Sequence, residues 1–183
     1  VQGFRAACFF NNQQQKAFIA QSIDEGAKIF KSLFGYNPHS FVPPNGVFHP
    51  DFESNVVQSG IKALNVNLLT PVPDGKGGVS FTKTYYTKLK KNGLLVYLRN
   101  CAFETADESY QGIGFTLKQI EAAFLWNKPA IISTHRVNFV GGLDKNNRDK
   151  GLKELNLLLQ NITKKWPDVE FMSTKEYVEL FIK

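Results

Sequence analysis

The run Pro129-Ala-Ile-Ile-Ser-Thr-His135-Arg-Val-Asn-Phe139 carries the residues best placed to do chemistry. An apolar, β-branched segment ends there in Ser133, Thr134, His135, Arg136 and Asn138. In α/β folds, polar groups that appear as a buried parallel strand reaches its C-terminal end are where sites are built. A histidine in that position titrates near neutral pH, so His135 is a candidate proton shuttle. The competing reading is a strand-end ring that bonds only to backbone.

A second apolar run, Leu94-Leu-Val-Tyr-Leu98, also ends in polar residues. Arg99 and Asn100 follow it and are placed to line the same mouth, although Arg99 also suits capping of sheet-edge carbonyls. Pro43, Pro44, Asn45 and Gly46 form a rigid loop flanked by His39 and His49. Ten residues apart, these histidines lack a helical ligand spacing, and no carboxylate–histidine pattern supports a zinc site. His49, directly before Pro50, reads as a helix cap. Among the acids, Asp51, Glu53 and Glu104 show no pairing, and Glu104 and Asp107 read as solvated.

The elements that must position these residues alternate between helix and strand. Phe4–Phe10 reads as a core strand. Residues 13–34 form an amphipathic helix with apolar positions every three to four residues and Gly35 as its stop. Phe41-Val42 is a short strand, and Pro50 opens a short helix closed by Gly60. Leu64, Val66 and Leu68 alternate with Asn65 and Asn67, the pattern of a strand with one wetter face. Residues 71–93 are the most irregular part, broken by Pro71, Pro73 and the glycines after Asp74. A helix begins near Thr116 with Gln119 as its capping-box partner, and another spans about 147–165. Val169–Met172 reads as a strand, and Ser173 with Glu176 forms a capping box for the last helix. Strands apolar on both faces, alternating with helices, indicate a mostly parallel sheet. The expected fold is α/β, either an open sheet flanked by helices or a partial (β/α) barrel, with 1–183 as a single domain.

Composition narrows the function. The 183 residues are 43% hydrophobic and 21% charged, with no apolar run of membrane-spanning length. The net charge of +6 invites a nucleic-acid reading. Much of the excess sits in Lys83, Lys88, Lys90 and Lys91 beside Tyr85 and Tyr86, with more on helices that also carry acids. Without a basic stripe on one face, no nucleic-acid partner is assigned. Cys8 and Cys101 sit in apolar surroundings and read as buried free thiols in a reducing, cytoplasmic setting. A chain that begins at Val1 and runs at once into a core strand reads as cut from something longer.

Three segments, in order, resemble the polysaccharide deacetylase family. Phe41-Val-Pro-Pro-Asn-Gly46 is similar to its Phe-Arg-Pro-Pro-Tyr-Gly signature, and Ile131-Ile-Ser-Thr-His135 resembles its late Leu-x-His strand. Trp166-Pro-Asp-Val-Glu-Phe-Met-Ser-Thr-Lys-Glu-Tyr177 looks like its closing helix–strand–helix. The strand ends at Arg99 and His135 also resemble deacetylase-like bacterial proteins of surface-polysaccharide or glycan metabolism. The resemblance implies a (β/α) barrel and a divalent, zinc-like metal. It makes His135 the catalytic acid, with Arg136 and Asn138 orienting it or contacting a sugar. It also implies a groove lined by Pro43, Pro44 and Asn45. The family's Asp-Asp and His-x-x-x-His motifs are missing, since the three histidines are His39, His49 and His135. On this resemblance the metal half would lie upstream of Val1. Val42 stands where the family has an arginine, leaving Arg99 or Arg136 to supply that charge.

The expected function is therefore metal-dependent deacetylation of a polysaccharide or glycan by a longer parent, with this portion alone inactive. Two alternatives follow it: a non-catalytic carbohydrate-binding or scaffold protein, and a glycoside hydrolase. The last needs two carboxylates across a groove, which the sequence does not pair. Exposed sheet edges would favour a homo-oligomer.

Overall fold

Asn12 starts the first helix, α1 (Gln13–Phe34), because its side-chain oxygen accepts the N–H of Gln15 at 2.9 Å. Gly35 ends it in the left-handed conformation, φ 78°, with its N–H on Lys31 O at 2.8 Å. Of the apolar positions in the sequence pattern, Ile19, Ile23 and Ala27 are buried, whereas Phe18 and Leu33 are exposed. The buried stripe packs with Phe48, Phe52, Val56, Leu64 and Val96 into one core.

The computed structural model describes residues 7–142 and 144–182, in two compact units. One comprises the chain up to Leu98 together with the residues from Met172 on; the other is Arg99–Phe171. The start of the expected first strand lies outside the described residues. Ala7–Phe10 are a turn and coil whose Cys8 and Phe10 are buried.

The first unit is built on a four-stranded sheet of β1 (Ser40–Phe41), β2 (Ala63–Val66), β5 (Lys88–Leu89) and β6 (Leu95–Leu98). Their order is β1-β2-β6-β5; β1, β2 and β6 run parallel and β5 is antiparallel. The sheet is therefore mixed, and no closed barrel forms among the described residues. The wetter face expected for β2 is absent. Asn65 is buried, and its amide donates to Tyr97 O at 3.3 Å across the ladder. A helical turn from Pro50 continues into α2 (Glu53–Gln58), and His49 caps it by accepting the N–H of Asp51 at 3.1 Å.

The stretch expected to be irregular contains an antiparallel hairpin, β3 (Leu69–Pro73) with β4 (Val79–Lys83). Pro71 and Pro73 are tolerated because β3 pairs with β4 alone, and on its other side Phe48 N–H donates to Pro71 O at 3.0 Å, where no proline N–H is called for. Asp74 closes the hairpin by accepting N–H groups from Lys76 at 2.7 Å and Gly78 at 2.9 Å. The last helix, α5 (Thr174–Glu179), has the expected capping box of Ser173 and Glu176. Val169–Met172 is coil rather than strand.

In the second unit, β7 (Cys101–Ala102) pairs in parallel with β8 (Ile132–Ser133). Helix α3 (Ile113–Leu125) and helix α4 (Lys145–Lys165) close a core of Phe103, Ile120, Leu158 and Ile162. The α3 helix starts at Gly112, ahead of the expected Thr116. Thr116 and Gln119 instead hold β7: Thr116 Oγ1 donates to Ala102 O at 2.6 Å, and Gln119 Oε1 accepts Ala102 N–H at 2.8 Å. Both cysteines are free and buried, and burial pushes their thiols up to about 11.

Four carboxyls sit below the ordinary range for hydrogen-bonding reasons. Lys16 bonds Asp51, backbone N–H groups bond Asp74, and Ser109 and Ser173 bond Asp107 and Glu176. Each therefore binds a proton more readily when unfolded. The stability they contribute is complete above their unfolded values, about pH 4, and is lost as pH falls through the lower folded ones. The urea midpoint is expected to be level from pH 7 to 5 and to fall modestly between pH 4 and pH 2, since these groups are exposed. A midpoint unchanged over that range would refute these assignments.

Candidate active site

Beyond the short strands β7 and β8 the chain places two polar segments side by side. Phe103 N–H donates to Ser133 O at 2.8 Å, so Glu104 and Thr134–His135 emerge together at the C-terminal ends of two parallel strands. Glu104 Oε1 lies 2.8 Å from His135 Nδ1. Its other oxygen accepts the Asn138 amide at 2.9 Å and the His135 backbone N–H at 3.3 Å. The Glu104 side chain is 20% exposed and that of His135 is 71% exposed. With Nδ1 engaged by the carboxylate, the ring leaves Nε2 as its remaining polar atom.

Asn138 organises the pair. It is fully buried in the helical turn Arg136–Asn138, and its amide also donates to Thr134 Oγ1 at 3.0 Å and His135 O at 2.9 Å. Its oxygen accepts the Ala106 N–H at 2.8 Å. Helix α4 lies against this turn where Gly151 has no side chain: a Cβ there would sit 1.8 Å from Asn138 O. Next to Gly151 in the helix, Lys150 Nζ donates to Thr105 O at 2.8 Å.

A second carboxylate belongs to this region. Glu154 is one turn past Lys150, and its Oε2 is buried with no hydrogen-bond partner. Tyr110 lies within electrostatic reach of both glutamates. Burial raises its phenol first, with Glu154 and Glu104 adding to the rise, while its hydrogen bond with Thr116 opposes it. A buried carboxylate oxygen with no partner among the described residues is uncommon in a folded chain.

The structure redistributes the roles expected of the sequence candidates. His135 has a specific partner, Glu104, an acid that is engaged here rather than solvated as expected. The signal available was position: Glu104 follows β7 by two residues, as His135 follows β8. Asn138 orients the site but cannot touch a sugar, because it is buried. Asn100 is spent on backbone, donating to Pro129 O at 3.0 Å and accepting Ile131 N–H at 2.7 Å. Arg99 and Arg136 are exposed. Pro43, Pro44 and Asn45 belong to the first unit, where they form a tight turn with Pro43 buried and Pro44 and Asn45 exposed. In that turn Gly46 has φ 70°, and a Cβ would lie 2.0 Å from Asn67 Nδ2, so the loop shape depends on glycine.

His39 stacks on Tyr36, and His49 caps its helix with Nδ1 3.6 Å from Asp51 Oδ2. Among the described residues, no group of three or more His, Cys, Asp or Glu side chains is placed to hold a metal ion. The divalent metal implied by the deacetylase resemblance thus has no fitting ligand set in these residues. Asp51 and Glu53 are engaged by Lys16 and Lys90 respectively.

Comparison with known proteins adds one finding. Residues 7–137, well over half the chain, match the model of Glycosyl hydrolase family 57. No curated protein matches the chain. This family is different from the polysaccharide deacetylases suggested by the loop and strand motifs; action on carbohydrate is what the two have in common.

Substitution at the organising residues checks this geometry. Asn138→Ala would remove the acceptor of the half-buried Ala106 N–H and leave a void in place of a fully buried amide, and is expected to cost about 2–3 kcal/mol of unfolding free energy. Gly151→Ala should cost about 1–3 kcal/mol by forcing α4 off the turn. Denaturant melts within about 0.5 kcal/mol of the parent protein for both would refute the packing described.

Proposed function

Because the chain belongs to glycosyl hydrolase family 57, we propose that it serves the hydrolysis of glycosidic bonds, with Glu104 as a reacting carboxylate and His135 as its partner at the substrate. The observation that carries this is the way Glu104 is held. Three donors, the Asn138 amide, the His135 N–H and the His135 ring, fix its two oxygens beyond parallel strand ends.

Cleavage of a glycosidic bond builds positive charge at the anomeric carbon. A carboxylate fixed beside that carbon either attacks it or activates a water, and a second carboxyl group protonates the leaving oxygen. Glu104, surrounded by donors, suits the first task. The exposed His135 ring is free to hydrogen-bond a sugar hydroxyl through Nε2. Glu154 shares Tyr110 as a neighbour with Glu104, but its buried Oε2 is as closed to a sugar as Asn138 is. The family match supports this reading over deacetylation, and Glu104 supplies a carboxylate that linear spacing had hidden.

A second reading, carbohydrate binding without turnover, has one specific support: Glu104 is the single carboxylate in the hydrogen-bonded cluster around Asn138. The same experiment separates the two. Release of new reducing ends from a panel of oligosaccharides is measured with the full-length polypeptide. Glu104→Gln is expected to lower kcat roughly 10²- to 10⁴-fold. His135→Ala should raise KM about tenfold, the loss of one good hydrogen bond. Turnover undiminished in E104Q would overturn the assignment of Glu104, and glycan binding with no turnover in the parent protein would favour the binding reading.

A further inference from the structure

The first unit contains a cavity of about 300 Å³ that the hydrolytic reading does not use. Its floor is apolar: Leu64 and Val66 of β2, Val96 of β6, and Phe48, all buried. Its wall is the β3–β4 hairpin, with Thr70, Val72 and Thr82 facing in. Its rim is the segment that follows β4, where Tyr85 and Tyr86 are 67% and 57% exposed. Large aromatic rings left that open beside a concave apolar surface mark a place where something stacks.

The rim is also basic. Lys83, Lys88 and Lys90 line it, against one acid, Glu53. Glu53 is committed to Lys90. Lys83 and Lys88 are exposed and have no carboxylate partner among the described residues. The tyrosine segment is held in place at both ends: Thr84 N–H donates to Leu68 O at 3.0 Å, and Thr87 Oγ1 accepts Tyr177 O–H at 2.8 Å. The rim is thus a built edge with two free cations, rather than a loose tail.

We propose that this cavity binds a sugar ring carrying an anionic group, with the ring against Tyr85 or Tyr86 and the anion on Lys83 and Lys88. The Thr82 and Thr84 side chains are placed for the ring hydroxyls. An apolar floor with a few convergent polar groups is the ordinary make-up of a small-molecule site, and about 300 Å³ is the small end of that class. That size suits one ring with its substituent. Single-stranded nucleic acid needs a groove that follows several nucleotides, which a recess of about 300 Å³ does not provide. The preference for a sugar rests on the family match, whereas the charge preference rests on the lysines. Neither depends on the roles given to Glu104 and His135.

The test is a titration of the full chain followed by NMR shifts of the Tyr85–Lys90 amides. Four probes are used: glucuronic acid, glucose 6-phosphate, glucose, and a short single-stranded RNA. The proposal expects glucuronic acid, glucose 6-phosphate or both to bind at least tenfold more tightly than glucose. The better of the two identifies a carboxylate or a phosphate as the natural anion. Binding should weaken at least threefold from 50 to 300 mM salt, because the lysines are exposed. Lys83→Gln with Lys88→Gln should abolish the preference for the charged sugar while leaving the melting temperature within about two degrees. Tyr86→Ala should weaken all sugars together. Equal affinity for glucose and the charged sugars, tighter binding of the RNA, or no shift with any probe would each overturn the proposal. Because the readout is binding, a failed hydrolysis assay leaves it intact.

Discussion

The second unit depends on one buried amide. Asn138 has no contact with water, so every polar atom it carries must find a partner inside the protein or cost desolvation energy. It finds them by tying together three stretches of chain: Glu104 and Ala106 after β7, Thr134 and His135 after β8, and its own helical turn. Gly151 lets α4 close over the turn, and the neighbouring Lys150 bonds Thr105. The orientation of Glu104 is thus a consequence of satisfying a buried polar network, and such networks tolerate few alternative arrangements. That is the property a reacting carboxylate needs, since its catalytic value depends on being held where charge develops.

Much of the local structure was legible because its causes are local. Asn12 and Gly35 bound α1, His49 caps the turn at Pro50, and Ser173 with Glu176 caps α5, all as their residue types dictate. The errors came where tertiary contact overrides local chemistry. Pro71 and Pro73 argue against a strand, yet β3 accommodates them because it pairs with β4 alone. Asn65 argues for a wet face, yet the face is dry because its amide bonds Tyr97 O. Thr116 and Gln119 have the spacing of a capping box, yet their side chains are used to grip β7.

The site was half legible for the same reason. His135 stood out as the ionisable residue at the end of an apolar run. Glu104 did not, because nothing local to it announces a partner thirty-one residues away. Parallel pairing supplies that partner: residues the same distance past neighbouring parallel strands arrive together, whatever their separation in sequence. The family-like loop and strand motifs carried the general class, a protein of carbohydrate chemistry, and misassigned the particular family. Pro-Pro-Asn-Gly and a strand-end histidine are both short patterns that a fold of this kind supports on geometric grounds alone.

A division of labour among polar side chains runs through both units. Two of the three amides expected to meet substrate are taken up by the fold: Asn138 is buried and Asn100 bonds the backbone on either side of Ala130, while Asn45 is exposed. Amides carry donor and acceptor together, so they can replace a missing piece of backbone ladder wherever strands are as short as two residues. Charged and aromatic groups cannot do this, and they remain available at the surface: His135 and Arg136 beyond β8, Lys83, Lys88 and the two tyrosines beyond β4. In a sheet made of such short strands, polar residues at strand ends therefore divide by chemistry. The amides complete the scaffold, while the ionisable and aromatic groups stay at the surface, where the proposed sites draw on them.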